Sequence, residues 1–330
     1  MSRSKYCYIV CATNTYVPEL VANLNSLDFV GNKQDVHVYG IEIEQSVIEQ
    51  FKKLSYSVIF NNVTEEEWTA DKGRSETVCR KRYYFAAQIG QDYDSVCVLD
   101  ADLVWVRDPQ LYFEIAAKTG LILGPCKEQS KTYGSDEVDH YYVDGKWIWN
   151  VPIGFYNDKD MTNCPVFLDA KVWKEALELS WNIFLNHGFR APDMDAMNLS
   201  FLQYGSYEKT ILLAGIQWLG TNEQHLKPYI RAIENHGKIQ TESGIPVYSY
   251  HGQFYHKRWR DCQLANRHQC ASGYLKADKH PEVIAHMDDQ ARGAMNCLYE
   301  YFRKMLDYKV VIEHKNYRHP GLAPDEYPTC

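Results

Sequence analysis

Two aspartates separated by one residue, Asp100 and Asp102, follow directly on the apolar run Val96-Cys97-Val98-Leu99. The run reads as a buried strand, and ligands of open α/β sheets gather beyond the carboxyl ends of strands. Alternate residues of an extended segment point the same way, so the two carboxylates can converge on one point. Hard divalent cations such as Mg2+ and Mn2+ take oxygen ligands of this kind and complete their shell with substrate phosphates. The competing reading of such a pair is a plain strand-end turn.

Other residues carry chemistry only with a partner. Arg82 shares a helical stripe with Val78, Phe85 and Ile89. A charge on a core-facing stripe needs a counter-charge; a bound phosphate and an internal carboxylate both remain open. His251 closes the apolar run Val247–His251 and is either a satisfied core histidine or a ligand that joins the aspartate pair. Asp193 and Asp195 open a helix, where a carboxylate favours the N-terminus or reaches into a site. Cys262, His268 and Cys270 suggest zinc, but no fourth ligand stands at suitable spacing.

The elements that must position these groups alternate. Strands are expected at Tyr6–Ala12, Asp35–Glu42, Tyr56–Phe60, Ser95–Leu99 and Leu121–Leu123. Helices are expected at Tyr16–Leu27, Gln45–Leu54 and Arg74–Ile89, the last stopped by Gly90. Continuous apolar strands between helices predict an α/β fold, a mainly parallel sheet flanked by helices. Further on, Gln129–Asn150 reads as a long loop or hairpin rich in Tyr and Trp. Lys171–Asn186 is a helix with Trp173, Leu177, Trp181 and Phe184 on one face. Asp193–Tyr204 is another, ended by Gly205, and Val247–His251 is a late strand. Pro281–Leu306 is a long amphipathic helix, and Arg318–Cys330 is a proline-bearing tail.

Composition narrows the class. The chain has 330 residues and a net charge of −8, which disfavours a general nucleic-acid coat or an anionic-membrane binder. The 10 cysteines form no CxxC pair, so a reducing compartment without a disulfide framework is expected. Aromatic residues reach 14%, and Tyr and Trp suit sugars and bases as well as cores. No signal peptide stands at the start and no apolar stretch approaches the ~20 residues of a membrane span. A cytoplasmic protein is expected.

The segment YDSVCVLDADLVWVRDP resembles the metal-binding segment of GT-A glycosyltransferases, above all the retaining group called family eight, which includes glycogenin and bacterial galactosyltransferases. Ala12-Thr13-Asn14-Thr15-Tyr16 stands where that family holds the nucleoside. Arg82 stands where it carries a donor-binding arginine. Asn163-Cys164-Pro165-Val166-Phe167-Leu168 resembles the segment beneath the donor sugar, and Asp193-Met194-Asp195-Ala196-Met197-Asn198 resembles its Asp-Gln-Asp-x-x-Asn. His251-Gly252 with Lys257-Arg258-Trp259 is similar to the late His-x-Gly-x-x-Lys-Pro-Trp motif. That motif is irregular here, and Met194 replaces the usual Gln.

The resemblance spans about residues 6–260 and implies a GT-A, Rossmann-like catalytic domain over 1–260, with a helical extension and tail over 261–330. It implies Mn2+ or Mg2+ on Asp100, Asp102 and His251. It also implies a nucleotide-sugar donor, uridine diphosphate-linked, against Ala12, Thr13, Tyr16, Arg82, Ala101 and Lys257. Asp193 and Asp195 would act on the sugar or acceptor, with retention. The acceptor stays open among glycan, protein and nucleic acid. Lys257, Arg258, Arg260, Arg267 and His268 with Trp259 could form a basic–aromatic surface for a nucleic-acid base. Tyr141–Trp149 is a lid, an acceptor platform or a hairpin packed on the core. An inactive sugar-nucleotide binder is the alternative. A nucleotidyltransferase is disfavoured because no Gly-rich phosphate loop follows the first strand.

Overall fold

The first strand is apolar at nearly every position because both of its faces are covered. In the computed structural model, described over residues 4–64, 81–125, 140–143, 146–149, 164–187, 193–213, 218–219, 230–232, 239–241, 248–251 and 301–312, β1 spans Tyr6–Thr13. Its alternate residues Tyr8, Val10 and Ala12 enter one core cluster. Cys7, Ile9 and Cys11 enter the other.

The chain continues through α1 (Val17–Phe29), β2 (Asp35–Ile41), α2 (Gln45–Gln50) and β3 (Val58–Asn62). Then come α3 (Arg82–Ile89), β4 (Ser95–Asp100), β5 (Leu103–Trp105), α4 (Gln110–Thr119) and β6 (Ile122–Gly124). β7 (His140–Val143) and β8 (Lys146–Trp149) pair antiparallel as a hairpin. β9 (Val166–Leu168), α5 (Lys174–His187), α6 (Asp193–Gln203) and β10 (Thr210–Leu212) follow. The later strands are β11 (Trp218–Leu219), β12 (Ile230–Ala232), β13 (Ile239–Thr241) and β14 (Ser249–His251).

Among the described residues, seven strands form the main sheet in the order β10-β6-β9-β4-β1-β2-β3. The β3–β2–β1–β4 run and the β6–β10 pair are parallel. Only β9 runs against its neighbours, between β4 and β6. The sheet is therefore mainly parallel, as the continuous apolar runs require. A smaller sheet, β11-β14-β5, sits beyond the end of β4.

Several boundaries differ from the sequence expectations. The third strand begins at Val58 rather than Tyr56, because the Tyr56 side chain is buried and its hydroxyl donates to the Leu24 carbonyl at 2.7 Å. Gly90 does not stop α3 in the left-handed conformation. Its φ of −63° continues into a 3-10 turn. A glycine is needed there because a Cβ would lie 2.2 Å from the Ala170 Cβ. Gly205 does end its helix with φ at +76°, the role glycine usually fills at a helix stop. On α3 the buried residues are Arg82, Tyr83, Ala86 and Ala87. Phe85 and Ile89 lie at the edge of the cluster instead, since Phe85 stacks on Tyr39 at 3.8 Å. Of the expected tryptophan-bearing face, Trp173, Leu177 and Trp181 are buried; the Phe184 side chain, Val78 and the segments 65–80, 252–300 and 313–330 lie outside what the structure describes.

The C-terminal stretch shares the first core. Residues 301–306 are helical, and Val310 and Ile312 belong to the same cluster as β1. Asn25 of α1 holds this stretch, donating to the carbonyls of Met305 and Val310 at 2.6 and 2.8 Å and accepting the Val310 N–H at 2.9 Å. Lys309 pairs with Asp28 at 2.5 Å, and the Tyr301 hydroxyl donates to the Trp105 carbonyl at 2.6 Å. Among the described residues no helix is long and apolar enough to cross a membrane. The described cysteines Cys7, Cys11, Cys97 and Cys164 are free and buried.

Candidate metal centre

Asp100 is the last residue of β4, and the chain turns at once through Ala101 and Asp102 into β5. β5 pairs antiparallel with β14, with Leu103 opposite His251. That register brings a histidine from far along the chain to the turn. His251 Nε2 lies 3.0 Å from Asp102 Oδ1 and 3.2 Å from Asp100 Oδ2. Arg82, at the start of α3, reaches the other Asp100 oxygen with Nη1 at 2.6 Å.

Exposure separates the roles. The Arg82 side chain is 3% exposed, while Asp100, Asp102 and His251 keep 20%, 14% and 19%. The three candidate ligands thus open toward solvent, and the guanidinium supports them from behind. Burial opposes ionisation of Asp100, but the Arg82 guanidinium and then His251 outweigh it and hold the carboxyl down at about 2. Burial likewise opposes charge on His251, yet Asp102 and then Asp100 raise the imidazole to about 10. Without a cation, the imidazolium proton bridges the two carboxylates.

The donor types and the two separations from the imidazole suit a small divalent cation. Metal–oxygen bonds of about 2.1 Å at right angles place neighbouring ligands about 3.0 Å apart, and the observed separations from the imidazole nitrogen are 3.0 and 3.2 Å. Two carboxylates and one imidazole suit Mg2+ or Mn2+ with coordination positions left for phosphate oxygens.

α1 clamps the turn that carries the aspartates. Asn23 is fully buried, and its Nδ2 donates to the Asp100 carbonyl at 3.1 Å. Ser26 Oγ accepts the Trp105 N–H at 2.9 Å and donates to the Asn23 carbonyl at 2.7 Å. Cys164, just ahead of β9, accepts the Asp100 N–H at 3.0 Å. Its Sγ, an Asp100 oxygen and an His251 nitrogen lie within 4.8 Å of one another. Glu19, also on α1, is fully buried; burial and then the Asp102 charge push its carboxyl up, to about 8. Glu19, Asn23 and Ser26 were not singled out from the sequence as parts of the site, and Cys164 stood there only within the segment that resembles the one beneath a donor sugar. The signal was the cluster Glu19, Asn23, Asn25 and Ser26 on an otherwise apolar helix, since buried polar groups demand partners.

The remaining sequence candidates fall into two groups. Ala12 and Thr13 end β1, where Cys11 registers with Asp100, and Tyr16 follows in a 3-10 turn. They border the same sheet edge as the aspartates. Ala101 lies between the aspartates and is buried. Asp193 and Asp195 stand in the first turn of α6, and their side chains lie outside the described residues. So do Lys257, the basic cluster around Trp259, and Cys262, His268 and Cys270.

No known family's sequence model matches the chain, and no curated protein matches it. Solved structures do. The bifunctional glycosyltransferase WbbM superposes with a TM-score of 0.50 at 13% identity, covering 81% of this chain and 50% of WbbM. This chain therefore spans half the length of that protein. The galactosyltransferase LgtC, solved with donor and acceptor sugar analogues, gives 0.50 at 14% identity over 87% of this chain and 95% of LgtC. An active-site mutant of LgtC gives 0.50 at 13% identity over 77% and 90%. At such identity the likeness speaks for architecture, and the chain has the GT-A fold.

Proposed function

We propose that this chain is a metal-dependent glycosyltransferase that moves a hexosyl group from a nucleotide sugar, uridine diphosphate-linked, to an acceptor. One observation carries the reading. One imidazole nitrogen stands 3.0 and 3.2 Å from an oxygen of each of two carboxylates at the carboxyl end of a central strand of a GT-A sheet. That LgtC is a galactosyltransferase and WbbM a bifunctional glycosyltransferase supports the reaction class.

Transfer breaks the bond between the anomeric carbon and the diphosphate, with oxocarbenium character on the sugar and growing charge on the leaving group. Asp100, Asp102 and His251 would hold a Mn2+ or Mg2+ ion, which would supply Lewis-acid stabilisation to the departing diphosphate. Arg82 keeps Asp100 ionised and adds fixed positive charge beside the leaving group, where preorganised charge is most effective. Ala12, Thr13 and Tyr16 receive the nucleoside next to the aspartates, with Ala101 along the donor. Lys257 contacts the diphosphate. Asp193 and Asp195 orient the sugar or the acceptor hydroxyl. Retention is the proposed outcome, with Met194 where the resembling family carries Gln.

The test is release of nucleoside diphosphate from a panel of sugar nucleotides with Mn2+, with chelator, and with Asp102→Asn. Slow hydrolysis of one donor that needs both metal and Asp102 supports the enzyme. Metal-dependent thermal stabilisation by a donor, without turnover even with glycan, protein and nucleic-acid acceptors, points to a binding module. Neither release nor stabilisation sinks the reading.

A further inference from the structure

Glu42 holds a backbone conformation that costs a glutamate free energy. Its φ is +53°, and among the described residues no other non-glycine residue has a positive φ. Glycine enters this left-handed region freely, and a residue with a Cβ does not. The conformation redirects the chain. Ile41 and Ile43 are both buried, yet Ile41 joins the core cluster of Tyr39 and Tyr83, while Ile43 joins that of Val36 and Val38. In an extended strand, residues two apart share a face. The turn at Glu42 therefore sends the two isoleucines to opposite clusters and leaves Glu42 itself exposed. Glycine would make the same turn more easily, so packing accounts for the conformation but not for the carboxylate. Among the described residues no hydrogen bond or ion pair engages that carboxylate.

Its place is that of a ligand contact. Glu42 directly follows β2, at the carboxyl ends of the parallel strands, where open α/β sheets bind their ligands. Thr13, the last residue of β1, registers with Ile41. Glu42 thus stands beside the Asn14–Tyr16 turn, next to the residues proposed above to receive the nucleoside. Asp100 lies across β1, level with Cys11, as Tyr39 does on the β2 side. Two strand spacings and three residues then separate the Asp100 and Glu42 backbones, roughly 14 Å. That span accommodates a diphosphate at the aspartates with its ribose toward Glu42. A carboxylate only accepts hydrogen bonds, so it repels phosphate and suits the paired hydroxyls of a ribose. The order β3-β2-β1-β4 is that of doubly wound dinucleotide-binding sheets, in which an acidic residue of the βαβ unit bonds the ribose 2′-hydroxyl.

We infer that Glu42 binds the ribose hydroxyls of the donor nucleotide and makes the site select ribonucleotides over 2′-deoxyribonucleotides. The inference rests on the nucleotide-sugar reading above and adds a specificity residue to it.

Calorimetry of the full chain with Mn2+ tests it, using uridine and guanosine diphosphates and their 2′-deoxy forms. The unaltered chain should bind the ribonucleotide of one base about tenfold more tightly than its 2′-deoxy form, the worth of a hydrogen bond to a charged group. In Glu42→Gly that ratio should fall toward one, through weaker binding of the ribonucleotide alone. The melting temperature of Glu42→Gly should hold or rise, because glycine relieves the left-handed backbone. Glu42→Gln keeps the size and backbone of the native residue and should give an intermediate ratio, since a neutral acceptor bonds more weakly. Mn2+ affinity without nucleotide should stay the same in both variants. Equal binding of the ribo and deoxy forms by the unaltered chain overturns the inference. A preference that survives undiminished in both variants also overturns it, because another group then reads the hydroxyl. Both of these outcomes leave the donor site standing. If Mn2+ binds but no nucleoside diphosphate does, the nucleotide-sugar reading fails, and the inference fails with it.

Discussion

Arg82 Nη1 stands 2.6 Å from Asp100 Oδ1 with its side chain 3% exposed, so the first candidate ligand is held by a guanidinium that solvent does not reach. Removing one partner of a buried pair leaves the other uncompensated and commonly costs 3–5 kcal/mol. His251 remains as a second counter-charge to Asp100, so Arg82→Met should cost about 3 kcal/mol in urea unfolding. Arg82→Lys should recover part of that loss, lacking the planar fork. The two proposed roles of Arg82 separate in binding. Mn2+ affinity should hold or improve in Arg82→Met, because Asp100 loses a competitor, while nucleoside diphosphate affinity should fall. Calorimetry on both ligands checks this, and unchanged diphosphate binding would remove Arg82 from the donor site.

The imidazole between the carboxylates predicts a pH dependence. Burial disfavours its charge, but Asp102 and Asp100 raise His251 to about 10 in the folded, cation-free chain, against about 6.5 unfolded. A raised folded pKa contributes stability that is fully present below about 6.5 and is lost as pH rises toward 10. The chelated protein should therefore melt lower at pH about 9.5 than at pH about 6.5, and His251→Gln should flatten that slope. Metal ligation needs the neutral ring. Mn2+ binding should release a proton across the same window, and its apparent affinity should climb with pH. Calorimetry in buffers of different ionisation enthalpy reads the proton directly.

Gly90 tests packing without backbone strain. Its φ is −63°, a value any residue adopts, so Gly90→Ala acts only through the methyl group that would meet the Ala170 Cβ at 2.2 Å. Overpacking of this kind costs about 1–3 kcal/mol. The pair Gly90→Ala with Ala170→Gly should regain much of the loss. A double-mutant cycle by denaturant unfolding would show that coupling, and strict additivity would mean that another contact dominates.

What the sequence disclosed follows from how local the information is. β1, β2 and β4 are legible because strands covered on both faces must be apolar throughout, and Asp100-Ala101-Asp102 is legible because its residues are adjacent. The pairing of Leu103 with His251 is not, since both strands are three residues long and nothing near either names the other. β9 escaped notice for the same reason: three residues inserted antiparallel in a sheet that otherwise reads as parallel. Arg82 announced that it needed a partner but not which one. Cys164 read as part of a resembling segment, and its place against Asp100 emerges only once β9 lies beside β4.

Asn25 is the polar residue of α1 on which the C-terminal stretch depends. Its amide serves the carbonyls of Met305 and Val310 and its oxygen takes the Val310 N–H, all buried. Asn25→Leu, close to it in size, would leave three buried backbone groups without these partners, each worth about 1–3 kcal/mol when unsatisfied. Relaxation and water entry would recover some of that, so about 3 kcal/mol of destabilisation is expected. The loss should be local first, because the Asp28–Lys309 pair and the Tyr301–Trp105 bond still tether the segment. Hydrogen exchange should therefore accelerate at the Val310 amide well before it changes in β1 or β4. Since Tyr301 bonds the carbonyl of Trp105 and β5 carries the strand opposite His251, the same variant should weaken Mn2+ binding by a small factor. Faster exchange confined to residues 301–312 with unaltered metal affinity would show that the C-terminal clamp and the metal centre are energetically separate.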